Sequence, residues 1–158
     1  MAGVVRRVDI RFMNTQKRQT EITLRYTDSL ESIVVQNLCG FFVGWLNPPS
    51  PETHLELLQN SDEIVLAIDE KSGHVVGFIT AITDKVLSAY IPFLEVLPEY
   101  QFRGIGQELT RRMLKKLRGL YANDLLCDRE LQPFYERLGM KAAHGMMVRN
   151  YERQTGEK

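Results

Sequence analysis

Apolar and charged side chains alternate from Val4 to Phe12, with Val8, Ile10 and Phe12 on one face and Arg7, Asp9 and Arg11 on the other. A period of two predicts a half-buried strand. Polar Asn14 to Arg18 reads as a turn, and Glu21 to Tyr26 alternates again with Ile22, Leu24 and Tyr26 on one face, so the two strands predict an N-terminal hairpin. Asp28 and Glu31 then fit a capping box, which predicts a helix running through Ile33, Val34, Gln36, Asn37 and Leu38 to Gly40. Phe41 to Pro49 is an aromatic loop. Ser50 and Pro51 suit the N-cap and first turn of a second helix, with Leu55, Leu57 and Leu58 on its apolar face and Asn60 as its stop.

Three strand signals follow: the apolar run Ile64 to Ile68, the returning run His74 to Ile82 after a turn at Asp69 to Gly73, and Ser88 to Val96. Adjacent strands with short connections predict an antiparallel meander. Ile105, Leu109, Met113 and Leu117 recur every four residues and predict a helix over Gly104 to Arg118. A short strand at Leu125 to Cys127, a helix at Pro133 to Leu138 closed by Gly139, and a last strand at Ala142 to Val148 complete the pattern. Strands followed by strand–helix–strand–helix–strand predict a mixed-sheet α/β (α+β) fold. No linker or repeat divides the chain, so residues 1–158 read as one domain, with 1–19 an N-terminal extension and 152–158 a flexible tail.

Composition narrows the function. Twenty Lys and Arg balance twenty Asp and Glu, which argues against a dedicated nucleic-acid binder, since such affinity rests on excess positive charge. The basic group Arg111, Arg112, Lys115, Lys116 and Arg118 reads as a solvated helix face, with a contribution to an outer phosphate as the alternative. Cys39 and Cys127 make no disulfide framework, and no Cys/His cluster suggests a metal. The uncharged run Ser32 to Pro51 is interrupted by Gln, Asn, Gly and Pro, and its apolar part falls short of the ~18–20 residues of a spanning helix. The expectation is a cytoplasmic protein with no metal and no membrane partner. His54 and His74 have no recognisable partner and read as surface residues.

The most informative stretch is Leu94-Glu95-Val96-Leu97-Pro98-Glu99-Tyr100-Gln101-Phe102-Arg103-Gly104-Ile105-Gly106. A strand runs into a short loop and a helix N-terminus, whose first N–H groups lack internal partners and bind phosphate through backbone alone. Gly104 and Gly106 let a diphosphate approach without Cβ contact, and Arg103 adds charge. A dinucleotide fingerprint would carry glycine where Leu109 stands, and a Walker loop would carry Gly-Lys-Ser/Thr.

Gln101-x-x-Gly104-x-Gly106 after Leu94-x-Val96-x-Pro98, with Phe134-Tyr135-Glu136-Arg137-Leu138-Gly139-Met140 downstream, resembles the GNAT superfamily of N-acetyltransferases. The likeness is strong over Asp62 to Met147 and rests mainly on element order before that. It implies a mixed, mostly antiparallel sheet of about six to seven strands flanked by about four helices, with splayed central strands that admit acetyl-CoA. It implies that Gln101, Phe102, Arg103, Gly104, Ile105 and Gly106 hold the pyrophosphate, that the backbone of Leu94 and Val96 pairs with the pantetheine arm, and that the Val96 N–H polarises the thioester carbonyl. Tyr135 stands where the family keeps the tyrosine that protonates the leaving thiolate.

Three departures accompany the resemblance. Family members often place a glutamate where this chain has Tyr90. Glu95, His144 or a water chain near Tyr90 are the candidate substitutes for a general base. Pro92 is unlike a paired strand residue, and Asp128 replaces a usual Asn, losing an amide donor. By resemblance the acceptor site lies between the first two helices and the end of the sheet, where Phe41, Phe42 and Trp45 suit an aryl or alkyl amine; the alternative for the rings is a core plug under the loop. The implied activity is acetyl transfer from acetyl-CoA to a small-molecule amine. The alternatives are a non-catalytic acyl-CoA sensor or interaction module and a protein N-acetyltransferase. A homodimer is the assembly considered.

Overall fold

The computed structural model describes residues 22–157; the Val4 to Phe12 strand and its hairpin therefore lie outside the described residues. Five strands form one sheet in the order β1-β2-β3-β4-β5: β1 Leu24–Thr27, β2 Glu63–Asp69, β3 Val75–Thr83, β4 Ser88–Val96 and β5 Ala122–Asp124. The first four are antiparallel neighbours and β5 runs parallel to β4. The fold is mixed α/β; the described residues hold five strands and three α-helices, against six to seven and about four expected of the whole chain: α1 Pro51–Gln59, α2 Ile105–Lys116 and α3 Gln132–Glu136.

The predicted meander is present. β3 is buried from Val75 through Ala81 because it is covered on both faces, which explains why its sequence is a continuous apolar run. On one face Phe41, Phe42, Leu58, Leu66, Val75, Phe78 and Leu97 form a core under α1 and the aromatic loop. On the other, Val65, Val76, Ile79, Ile91, Ile105, Leu109 and Met113 form a second core under α2. Gly77 faces the second: an added Cβ would stand 3.1 Å from Leu109 and 3.2 Å from the Glu95 carbonyl. Glycine here lets α2 ride close to the sheet.

The helix predicted from Asp28 reduces to a single 3-10 turn, Val35–Leu38. Thr27 and Ser29 hydroxyls take the backbone N–H groups of Ser29 and Glu31, a local alternative that competes with helix, and Asp28 is drawn away into an ion pair with Lys116 at 2.7 Å. The second helix forms as expected, with Ser50 Oγ accepting from the Thr53 N–H at 3.1 Å. Its buried residues, however, are His54 and Leu58, so His54 is a core residue and not a surface one. The short fifth strand lies at Ala122–Asp124, ahead of Leu125 to Cys127. Ala142 to Val148 forms no strand; it has no regular structure and all seven residues are exposed. The last residues are partly tied down: Gln154 Oε1 accepts from the Asn47 N–H at 3.0 Å. No helix among the described residues is long and apolar enough to cross a membrane.

Candidate active site

β4 and β5 are paired only from Ser88 to Tyr90. Beyond Tyr90, β4 continues to Val96 with no partner on its outer edge among the described residues. The separation begins at a β-bulge: Thr80 faces Phe93 while Ile82 faces Tyr90, so β4 carries an extra residue at Ile91-Pro92. Pro92 is accommodated here because a bulge needs no ladder N–H from it.

The register past the bulge fixes which backbone groups face the opening. Leu97 N–H donates to the Val76 carbonyl at 2.9 Å, and Val96 stands opposite Gly77. Bonded and non-bonded pairs alternate along an antiparallel ladder. Leu94 and Val96 therefore turn their N–H and C=O groups away from β3, into the opening. The Val96 carbonyl is taken by Gln101 Nε2 at 3.0 Å, which folds the following loop back against the strand end. The Val96 N–H has no acceptor among the described residues.

The loop continues this row of donors. Pro98–Tyr100 is a 3-10 turn, and α2 begins after Gly104, its N-cap at φ 79. Among the described residues none of the six N–H groups from Phe102 to Gln107 is hydrogen-bonded. An added Cβ at Gly104 would meet nothing within 4 Å, so the space before the loop is open. Six free amides at a helix N-terminus form a backbone cradle for a diphosphate. The fit to a coenzyme diphosphate thus rests on geometry that the chain itself supplies. Phe102 lies here at φ 61 and is fully exposed.

α3 closes the same end. An added Cβ at Gly106 would lie 3.7 Å from Val96 and 3.8 Å from Phe134, so the helix carrying Phe134 and Tyr135 sits against the loop and the strand end. The two rings pack edge to face at 4.9 Å. Tyr135 is half-buried, and its hydroxyl has no hydrogen-bond partner among the described residues. Burial first, and then the nearby Cys127, push its phenol well above the ordinary value, so it is a protonated donor throughout the neutral range. Asp128 starts the preceding 3-10 turn without capping it, and its carboxyl is raised by burial and by Glu130.

The opposite face of β4 carries the remaining candidates. Glu95 is half-buried and both of its oxygens are engaged by the aromatic loop: Oε2 accepts from Phe42 N–H at 2.8 Å and Oε1 from Val43 N–H at 3.0 Å. Burial holds this carboxyl above its ordinary value, opposed by those two bonds. Tyr90 is partly exposed, and alternation turns it away from the Ala89 and Ile91 face. Phe41 and Phe42 are buried in a cluster with His54 and Phe78, so they plug the core and form no open wall. Trp45 is the ring left half-exposed, against Phe42 at 5.2 Å and Phe93 at 6.3 Å. His144 lies in the exposed segment after α3. The feature that sequence reasoning missed is His54: it is 1% exposed, and among the described residues neither ring nitrogen makes a hydrogen bond of normal geometry. The spacing of His54 and Leu58, one helical turn apart, is the signal that could have found it.

The basic residues of α2 serve another purpose. Glu108 pairs with both Arg111 and Arg112, Lys116 pairs with Asp28 and Glu63, and Arg112 covers the Tyr26 ring at 4.6 Å. They line a groove of about 410 Å³ with β1. Among the described residues no group of three metal-ligating side chains occurs.

The model of the acetyltransferase (GNAT) family matches residues 30–140, a span that holds the opening, the amide row and Tyr135. The chain belongs to the GNAT family of acetyltransferases. A candidate acetyltransferase from Deinococcus radiodurans R1 is 44% identical and superposes with a TM-score of 0.83, over 85% of this chain and 94% of that one. A GNAT family acetyltransferase from Streptococcus pneumoniae TIGR4 is 27% identical with a TM-score of 0.64, over 82% and 98% of the two chains. The uncharacterised N-acetyltransferase ycf52 of Porphyra purpurea is 26% identical over 75% of this chain and 70% of its own length. This GNAT chain thus shares the family's sheet while building its amide row from Phe102-Arg103-Gly104-Ile105-Gly106-Gln107.

Proposed function

We propose that the chain is an N-acetyltransferase that uses acetyl-CoA to acetylate a primary amine of a small molecule, by direct attack of the amine in a ternary complex. The observation that carries this is the line of free backbone donors, Val96 and then Phe102 to Gln107, beside the helix of Tyr135. Acetyl-CoA supplies the activated acyl group. The amides of Phe102 to Gln107, with Arg103, hold the diphosphate, and the backbone of Leu94 and Val96 takes the pantetheine arm. The Val96 N–H points at oxygen on which negative charge develops, an oxyanion-type donor. As the C–N bond forms and the C–S bond breaks, Tyr135 gives its proton to the departing sulfur, and the proton released by the attacking nitrogen passes through solvent water to restore the phenol. Much of the rate comes from holding the amine and the acyl carbon together.

A second reading, a coenzyme-binding module without catalysis, has one observation in its favour. Tyr90 stands where the family often has a carboxylate, and both Glu95 oxygens are already engaged. Calorimetric titration of acetyl-CoA, followed by thiol release with phenethylamine, tryptamine and other primary amines, separates the two. The proposal expects binding, turnover, and a loss of about a hundredfold in kcat for Tyr135→Phe. Acetyl-CoA affinity in that variant should change by less than about threefold, or ~0.6 kcal/mol. Absence of heat overturns both readings; heat without turnover on any amine leaves the module.

A further inference from the structure

The loop from Gly40 to Trp45 has no regular structure, and it is tied to the sheet at one point. Phe42 and Val43 are consecutive, and their N–H groups converge on the two oxygens of Glu95, at 2.8 and 3.0 Å. Such convergence needs a backbone that turns on itself. Phe42 supplies the turn at φ 62, between Gly40 at φ 92 and Gly44 at φ 80. The result is an anion-binding nest occupied by the protein's own carboxylate, through charge-assisted bonds that are the stronger kind. Glu95 stands between Leu94 and Val96. The stretch of β4 that turns its backbone to the opening therefore also grips the aromatic loop with a side chain.

We infer that Glu95 is a positioning residue that fixes the aromatic loop, and with it Trp45, to β4, so that the acceptor wall and the acyl-holding backbone keep one spacing. What the loop borders rests on the function proposed above; the anchoring itself does not. Accepting a proton from an ammonium would remove the carboxylate's charge and weaken one Glu95 oxygen as the acceptor of a loop N–H. The geometry thus favours the anchor over the base.

Trp45 is the sole tryptophan and reports the loop directly. Glu95→Ala removes both bonds, and the isosteric Glu95→Gln keeps one acceptor oxygen. In full-length protein, Glu95→Ala should shift Trp45 emission to the red. Chymotryptic cleavage after Phe41, Phe42 or Trp45 should quicken about tenfold or more, with Glu95→Gln in between, as bonds that hold the loop closed are lost. Acetyl-CoA affinity by calorimetry should stay within about threefold. With whichever amine the wild type acetylates fastest, KM for the amine should rise about tenfold while kcat falls less than about threefold, the signature of lost binding geometry.

Unchanged emission and cleavage in Glu95→Ala overturn the inference. So does a kcat loss in Glu95→Gln as large as in Glu95→Ala with amine KM unmoved, which marks a proton acceptor. If Glu95→Ala does not fold, Glu95→Gln carries the same readouts. If the wild type binds no acetyl-CoA or acetylates no amine, the proposed function falls, and emission and cleavage still decide the anchor.

Discussion

Phe42 and Phe102 adopt the same left-handed backbone, φ 62 and φ 61, in the two loops that border the opening. Their surroundings are opposite. Phe42 is 3% exposed among His54, Trp45, Phe78 and Phe93, whereas Phe102 is fully exposed. A bulky residue in this region costs on the order of 1–2 kcal/mol. At Phe42 ring burial and the Glu95 carboxylate offset that cost; at Phe102 nothing in the chain does. One loop is held by side chains from across the fold. The other is held by local backbone geometry, and it leaves its donors free.

The largest expected effect tests the packed loop. Phe42→Gly removes the strain but empties a core site, so it should destabilise by about 3 kcal/mol net in denaturant unfolding. A loss under about 1 kcal/mol would mean that the ring contributes little beyond filling the turn.

His54 gives a second test of the same loop. Burial lowers its pKa from 6.5 to about 4. The unfolded chain therefore binds a proton that the folded chain refuses between those two values. Stability should be full above pH 6.5 and fall as pH drops toward about 4, with the His54 contribution reaching about 3 kcal/mol. Subtracting the unfolding curve of His54→Leu from that of the wild type isolates it from Glu95, whose raised carboxyl acts with the opposite sign. A pH-independent difference between the two would break the assignment.

The smallest effect tests the open loop. Phe102→Gly relieves the same strain with no packing to lose, so it should stabilise by about 0.5 kcal/mol, after the entropy that glycine restores to the unfolded chain. Thermal midpoints of the two Phe→Gly variants should thus move in opposite directions. Two shifts of the same sign would erase the contrast drawn above.

The same contrast explains what the sequence could say. The meander, α2, α3 and the amide row were legible because they depend on neighbours in the chain: Gly104 must take φ 79, and Gln101 reaches back only to Val96. The Asp28 helix was not, because Lys116, 88 residues away, claims the carboxylate that would have capped it. The roles of Glu95, Phe41, Phe42 and His54 depend on contacts between loop, helix and strand that no local pattern records. Glu95 shows this most plainly, since its two partners lie 52 and 53 residues before it. The absence of strand structure at Ala142 to Val148 shows the converse: apolar side chains qualify a segment to pair but supply no partner.

The missing side chain of Gly77 bears on the coenzyme as well as on packing. Because α2 rests on that hydrogen, the height of the helix above the sheet also sets how far its first free amides stand from the Val96 N–H. Lengthening position 77 by a single methyl would lift one end of that row while leaving the other in place. The gauge against which a diphosphate and a thioester are measured together would then be changed from beneath the helix.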